Sequence, residues 1–156
     1  MFSLADLLTI PLYQVIIFLD VDGTIVPDSQ ENIDPLVPGL IAVWQRQGNT
    51  VYLCSNSPQR QRIARIAATL QVPIAGEGYR KPSRPIADVV RSPHTSLVVI
   101  GDRLATDGLF AWRIGAQFVL VQRRRAPSDR WFIRLLYWLD DRLRFVVGWR
   151  LKASAR

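Results

Sequence analysis

The chain has 156 residues, almost half of them apolar, with ten prolines, nine glycines and five tryptophans; this sustains one folded domain and excludes disorder as the main state. Its single cysteine, Cys54, excludes an internal disulfide framework and makes a reducing compartment the expectation. The formal charge of +7 sits at one end: residues 123–156 hold ten of the twenty basic residues and three of the thirteen acidic ones, whereas residues 1–122 hold ten of each.

The apolar run Val15-Ile16-Ile17-Phe18-Leu19 predicts a strand over residues 14–20 that delivers Asp20-Val21-Asp22-Gly23-Thr24. Because side chains alternate along a strand, Asp20 and Asp22 converge on one side if strand geometry persists to its end. Two adjacent carboxylates repel. A divalent cation, or a division into one ionised and one protonated partner, relieves the repulsion and suits the pair to phosphoryl transfer.

A helix is expected over residues 36–47, then a second strand, residues 50–54, leading into Ser55-Asn56-Ser57-Pro58. Cys54 ends that apolar run with no histidine nearby, which reads as a buried structural thiol rather than a nucleophile. Ser57-Pro58 starts a helix over 58–70, a short third strand covers 72–75, and Arg80-Lys81-Pro82 follows. Beyond a helix over 84–91, with Ser83 and Pro85 at its start, His94 reads as a solvated loop residue. The fourth strand, 97–101, leads into Gly101-Asp102-Arg103-Leu104-Ala105-Thr106-Asp107, then a helix over 104–114 and a strand over 117–121. Strands alternating with helices predict an α/β fold, a parallel sheet between two helical layers.

From Ser128, an N-cap after Pro127, to about Val147 the periodicity predicts an amphipathic helix. Arg130, Arg134, Asp141 and Arg144 share one side, Phe132, Leu135, Leu136, Leu139, Leu143 and Val146 the other, with Trp131, Trp138 and Phe145 flanking. Such a helix either packs on the body or lies in a membrane interface. Tryptophans and arginines taken together favour the interface, with Arg130, Trp131, Arg134, Trp138 and Arg144 as contacts to anionic headgroups. Phe2, Leu4, Leu7 and Leu8 either add a second apolar contact or form a short helix packed on the core. No stretch approaches the roughly 18 uninterrupted apolar residues of a span, and no basic region precedes the N-terminal apolar one. The expected division is a body over 1–122 and a basic extension over 123–156.

The ordered set Asp20-Val21-Asp22-Gly23-Thr24, Ser55-Asn56, Lys81-Pro82 and Gly101-Asp102 through Asp107 resembles the haloacid dehalogenase (HAD) superfamily of aspartate-nucleophile phosphatases, over roughly Val15 to Val121. With Arg113-Ile114-Gly115 and the Trp/Arg-rich tail it looks like the YqeG-type branch of subfamily IIIA, related to phosphatidylglycerophosphate phosphatases. The resemblance implies a HAD-like, Rossmann-like three-layer sandwich in which the strands carrying Asp20 and Asp102 lie side by side. It implies Asp20 as the nucleophile that forms an aspartyl-phosphate and Asp22 as general acid, then base. Mg²⁺ would be held by Asp20, the Asp22 main-chain carbonyl and Asp102, with Asp107 orienting Lys81 or a metal-bound water. Lys81, Ser55, Asn56 and turn N–H groups around Gly23 and Thr24 would bind the phosphoryl oxygens.

Only 34 residues lie between Asp20 and Ser55, and Lys81 follows Asn56 by 25, which leaves no room for an inserted cap domain. An open site suits a bulky substrate. The expectation is a Mg²⁺-dependent phosphatase that converts phosphatidylglycerophosphate to phosphatidylglycerol, peripheral on the cytoplasmic face of a membrane and with no obligate protein partner. The alternatives are a nucleic acid end phosphatase, whose polyanion the same arginines can hold, and a catalytically silent membrane- or nucleic-acid-binding module.

Overall fold

The computed structural model describes residues 1–124 except 29, 77 and 90–95; the expected helix over 128–147, with Arg130, Trp131, Arg134, Trp138 and Arg144, and His94 lie outside the described residues. The apolar run after Gln14 forms β1 (Ile16–Leu19), buried along its whole length. It lies inside a four-stranded, all-parallel sheet with β2 (Thr50–Leu53), β3 (Leu97–Gly101) and β4 (Gln117–Leu120), in the order β2-β1-β3-β4.

Period-two alternation sends successive residues of β1 to opposite faces, and both faces are covered. Ile17 and Leu19 join Val51, Leu53, Val98 and Ile100 in a core closed by α1 (Leu36–Arg46) and α2 (Arg60–Leu70). Ile16 and Phe18 face the other way, with Val99, Ile86 and, from α3 (Leu109–Ile114), Phe110. Phe18 meets Phe110 edge to face at a centroid separation of 5.6 Å. The result is the three-layer α/β sandwich expected from the strand and helix pattern.

Three elements differ from expectation. Residues 72–75 make a single bridge, Leu53 to Ile74, because Pro73 offers no N–H to a ladder and only its carbonyl is used, by the Leu53 N–H at 2.9 Å. The segment after Ser83 is a 3₁₀-helix, Arg84–Val89, rather than an α-helix. The helix expected from 104 opens as a π-helical turn, Leu104–Gly108, before α3. At the N-terminus a 3₁₀ turn, Asp6–Thr9, buries Leu7, and Leu4 is buried beside it; these two pack on the body, while Phe2, whose backbone bridges to Val121, and Leu8 are exposed.

Parallel pairing puts every strand's C-terminal end on one rim. Leu19 is in register with Leu53 and with Ile100, so Asp20, the Cys54-Ser55 step and Gly101-Asp102 emerge side by side. Residues 20–49 supply a tight turn, a loop and α1, and residues 54–81 supply α2 and a loop. Among the described residues no helix is long and apolar enough to cross a membrane.

Candidate active site

Asp20 leaves β1 with its N–H donating to the Ile100 carbonyl at 2.9 Å, so the adjacent strand fixes its backbone. Strand geometry stops there. The N–H groups of Thr24, Ile25 and Val26 all fold back onto the Val21 carbonyl, and the two carboxylates, expected to converge, enter different networks. Asp20 is buried; Thr24 Oγ1 donates to its Oδ2 at 3.0 Å and Lys81 Nζ donates to its Oδ1. Asp22 is half-buried and accepts from Ser55 Oγ at 3.2 Å and from Arg62 Nη2 at 2.5 Å.

The same turn corrects one expectation. The Gly23 N–H donates to the Val26 carbonyl at 2.8 Å and the Thr24 N–H to Val21 at 3.2 Å, so neither is available to phosphoryl oxygens. Thr24 acts instead through its hydroxyl on Asp20. Gly23 acts through its missing side chain: at φ +83° a Cβ would stand 2.7 Å from Asp102 Oδ2 and 3.0 Å from Asp102 Cγ.

Asp102 is fully buried at the exit of β3. Burial, seconded by the charge of Asp20, pushes its carboxyl up to about 6, with Arg123 and Arg103 opposing. The Arg123 side chain donates from Nε to Asp102 Oδ2 and from Nη2 to the Asp102 carbonyl at 3.2 Å. Charge alone groups Arg123 with the basic extension; in the fold its guanidinium lies on Asp102.

Asp107 sits in the π-helical turn, whose wider winding brings its carboxylate back over the rim. Its Oδ1 accepts from Lys81 Nζ at 2.5 Å and its Oδ2 from the Arg103 N–H at 3.1 Å. Gly101 makes room for it, since a Cβ there would be 2.5 Å from Asp107 Cγ. Burial pushes the Asp107 carboxyl up to about 7 against the opposing charge of Lys81. Burial works against the Lys81 charge too, but Asp107 and Asp20 outweigh it and the ammonium stays charged.

Lys81 is placed by Asn56. Asn56 Oδ1 accepts from the Lys81 N–H at 2.6 Å, and Asn56 Nδ2 donates to the Lys81 carbonyl at 3.0 Å. The amide expected to bind phosphate directly is engaged with main chain and acts by holding the lysine. Cys54, beneath this cluster, is buried with its thiol pushed up to about 12 by burial, which suits an inert structural thiol and not a nucleophile.

Arg62 was not expected in the site. It is 4 % exposed, donates from Nη1 to the Gln30 carbonyl at 2.6 Å and from Nη2 to Ser57 Oγ at 3.2 Å, and forms the ion pair with Asp22. Burial raises the Asp22 pKa, Arg62 lowers it and Asp20 raises it further, leaving a net upward shift. A carboxyl raised in this way is suited to holding a proton, as a general acid must.

Carboxylate oxygens of Asp20, Asp102 and Asp107 all lie within 4.8 Å of one another. Asp102 Oδ1 is buried without a hydrogen-bond partner among the described residues, which is costly unless a ligand completes it. An all-oxygen donor set with one orphaned carboxylate oxygen fits a hard divalent cation such as Mg²⁺. The Asp22 carboxylate, engaged by Arg62 and Ser55, is not in this trio.

Gly23→Ala tests the cradle. The added Cβ meets Asp102 and strains an already left-handed backbone, so the variant should lose about 1–2 kcal/mol of stability, and the rise in melting temperature expected on adding Mg²⁺ should largely disappear. Thermal unfolding with and without 10 Kd equivalents of Mg²⁺, roughly 1.4 kcal/mol of stabilisation in the parent, reads both effects.

Residues 78–129 match a family model described as HAD-hydrolase-like. The matched stretch contains Lys81, Asp102, Asp107 and Arg123, and Asp20 through Thr24 and Ser55-Asn56 lie before it. No curated protein matches the chain. The match points to a hydrolase of phosphatase type, and the buried aspartate trio can hold a metal ion.

Proposed function

We propose that this chain is a metal-dependent phosphomonoester hydrolase that works through an aspartyl-phosphate on Asp20. The observation that carries the reading is the convergence of Asp20, Asp102 and Asp107 within 4.8 Å, beside a buried lysine, at one rim of a parallel sheet. An Asp20 carboxylate oxygen attacks phosphorus in line, the bond to the leaving oxygen breaks, and Asp22 gives that oxygen a proton. Water then attacks phosphorus, Asp22 takes a proton from it, and phosphate leaves as Asp20 is restored. Lys81 pairs with the nucleophile and offers its charge to the phosphoryl oxygens, while Ser55 and Arg62 hold the acid in place. Mg²⁺, bound by Asp20 and Asp102 with Asp107 at hand, would supply the positive charge that offsets repulsion between carboxylate and phosphate.

The substrate we propose is phosphatidylglycerophosphate, met at the cytoplasmic surface of a membrane. The short connections around the rim and the Trp/Arg-rich segment over residues 123–156 support a substrate presented by an anionic bilayer. The test is phosphate release from phosphatidylglycerophosphate in mixed micelles by the full chain and by a chain ending at residue 129, which keeps Arg123 on Asp102 and Arg124 on Asp34. The full chain should turn over the lipid, and the shortened one should lose at least about tenfold on the lipid while keeping its rate on a soluble aryl phosphate. Equal lipid turnover by both would contradict the membrane role.

A further inference from the structure

Two neighbours enclose one oxygen of Asp102. Its Oδ2 lies against the bare Cα of Gly23, where an added Cβ would stand 2.7 Å away, and accepts from Arg123 Nε. Arg123 Nη2 donates to the main-chain carbonyl of the same aspartate at 3.2 Å, so one planar fork grips side chain and backbone together. The Arg123 side chain is 3 % exposed, and water competes little for the contact. The arginine arrives there through β4. Leu120 is in register with Gly101, the Val121 N–H donates to the Gly101 carbonyl at 3.0 Å, and the Arg124 N–H donates to the Gly23 carbonyl at 2.7 Å. The stretch over residues 121–124 is thus tied by its backbone to both walls beside Asp102.

A carboxylate meets a cation through one oxygen or through both. With Oδ2 engaged by a guanidinium, a dication that also took that oxygen would stand beside a fixed positive charge and be repelled by it. Oδ1, buried and without a hydrogen-bond partner among the described residues, is the oxygen left for a cation held with Asp20 and Asp107. The number of oxygens offered bears on which ion fits. Mg²⁺ demands an octahedron of oxygens at about 2.0–2.1 Å, whereas Ca²⁺ takes about six to eight at roughly 2.3–2.6 Å and readily uses a carboxylate through both oxygens.

We infer that Arg123 is a positioning residue that restricts Asp102 to one cation-binding oxygen, and that this restriction biases the aspartate trio toward a small octahedral dication and against Ca²⁺. The inference deepens the metal-dependent reading and rests on the trio as its cation site. Arg124, the next residue, commits its guanidinium to Asp34 instead and supplies the control.

The test titrates the full chain with MgCl₂ and with CaCl₂, in the absence of substrate, by isothermal calorimetry. The parent should bind Mg²⁺ more tightly than Ca²⁺, and Arg123→Gln should cut that preference by about tenfold, whereas Arg124→Gln, which removes an equal charge from the same segment, should leave it unchanged. Both ions carry two charges, so the ratio of their Kd values is insensitive to the lost arginine charge and to a general loss of stability, and reads the geometry of Asp102. A parent that does not prefer Mg²⁺, a preference that survives Arg123→Gln, or an equal loss in Arg124→Gln overturns the inference, as does binding that persists in Asp102→Asn and so lies elsewhere. If Arg123→Gln does not fold, a crystal structure of the parent in saturating CaCl₂ decides: Ca²⁺ on Oδ1 alone with Arg123 still on Oδ2 upholds the restriction, and Asp102 bound through both oxygens overturns it. Because no turnover is read, the two readings fail separately. A preference that depends on Arg123 stands even if no phosphomonoester is hydrolysed, and Mg²⁺-dependent phosphate release with a preference indifferent to Arg123 rejects the restriction alone.

Discussion

Asp20→Asn should lower Mg²⁺-dependent phosphate release by about 10⁴-fold or more, the scale on which removing a covalent nucleophile acts, and leave the protein folded. The amide is nearly isosteric with the carboxylate, still offers an oxygen to Thr24 Oγ1, and leaves Lys81 paired with Asp107. What disappears is the oxygen proposed to attack phosphorus and one of the three carboxylates around the candidate cation site. Steady-state phosphate release, measured beside a melting curve of the same preparation, separates lost chemistry from lost fold. Turnover close to that of the parent would remove Asp20 from the mechanism.

Lys81→Met should be the most damaging single change to stability. The ammonium is almost wholly buried between Asp20 and Asp107, and removing it leaves two carboxylates in a dry site without their cation. Breaking a buried pair from one side costs about 3–5 kcal/mol, and the loss of a charge aimed at the phosphoryl group costs about 10²–10³-fold in rate. Pairing the change with Asp107→Asn removes one of the two stranded carboxylates and should restore part of the stability and none of the rate. Denaturant unfolding of the parent, the single variant and the double variant provides the comparison. A double variant no more stable than Lys81→Met would show that electrostatic pairing is not what Lys81 contributes.

The sheet was legible because its strands are continuous apolar runs bounded by turn residues, the pattern of strands buried on both faces. The positions of Asp20, Asp102 and Lys81 on one rim followed from parallel connectivity, whereas the adjacency of β1 and β3 was implied by the HAD resemblance alone. The convergence of Asp22 with Asp20 did not follow, because the Val21 carbonyl gathers three N–H groups and ends the strand one residue early. Arg62 carried a readable signal: it precedes Ile66 and Leu70 by four and eight residues, on the stripe that α2 buries, and a charge on such a stripe needs a buried partner.

Arg123 was hidden by its neighbours. Counted with nine other basic residues it looked like part of a charged appendage, yet it follows β4 by a few residues and so reaches the same rim as Asp102. The commitment of Asn56 to the Lys81 main chain and the π-helical placement of Asp107 depend on loop conformations that residue type does not encode. Cys54 is legible as a buried structural thiol, since at an apolar strand end without a histidine burial outweighs the nearby Lys81 charge.

One cation shared by carboxylates from two adjacent strands is the centre of the proposed chemistry. A crystal structure of the full chain grown in saturating Mg²⁺ tests it most directly. Octahedral density at about 2.0–2.1 Å from oxygens of both Asp20 and Asp102, with Asp102 Oδ1 among the ligands, is the predicted result. Magnesium bound elsewhere, or this trio left without metal under conditions in which the protein hydrolyses phosphomonoesters, would contradict it.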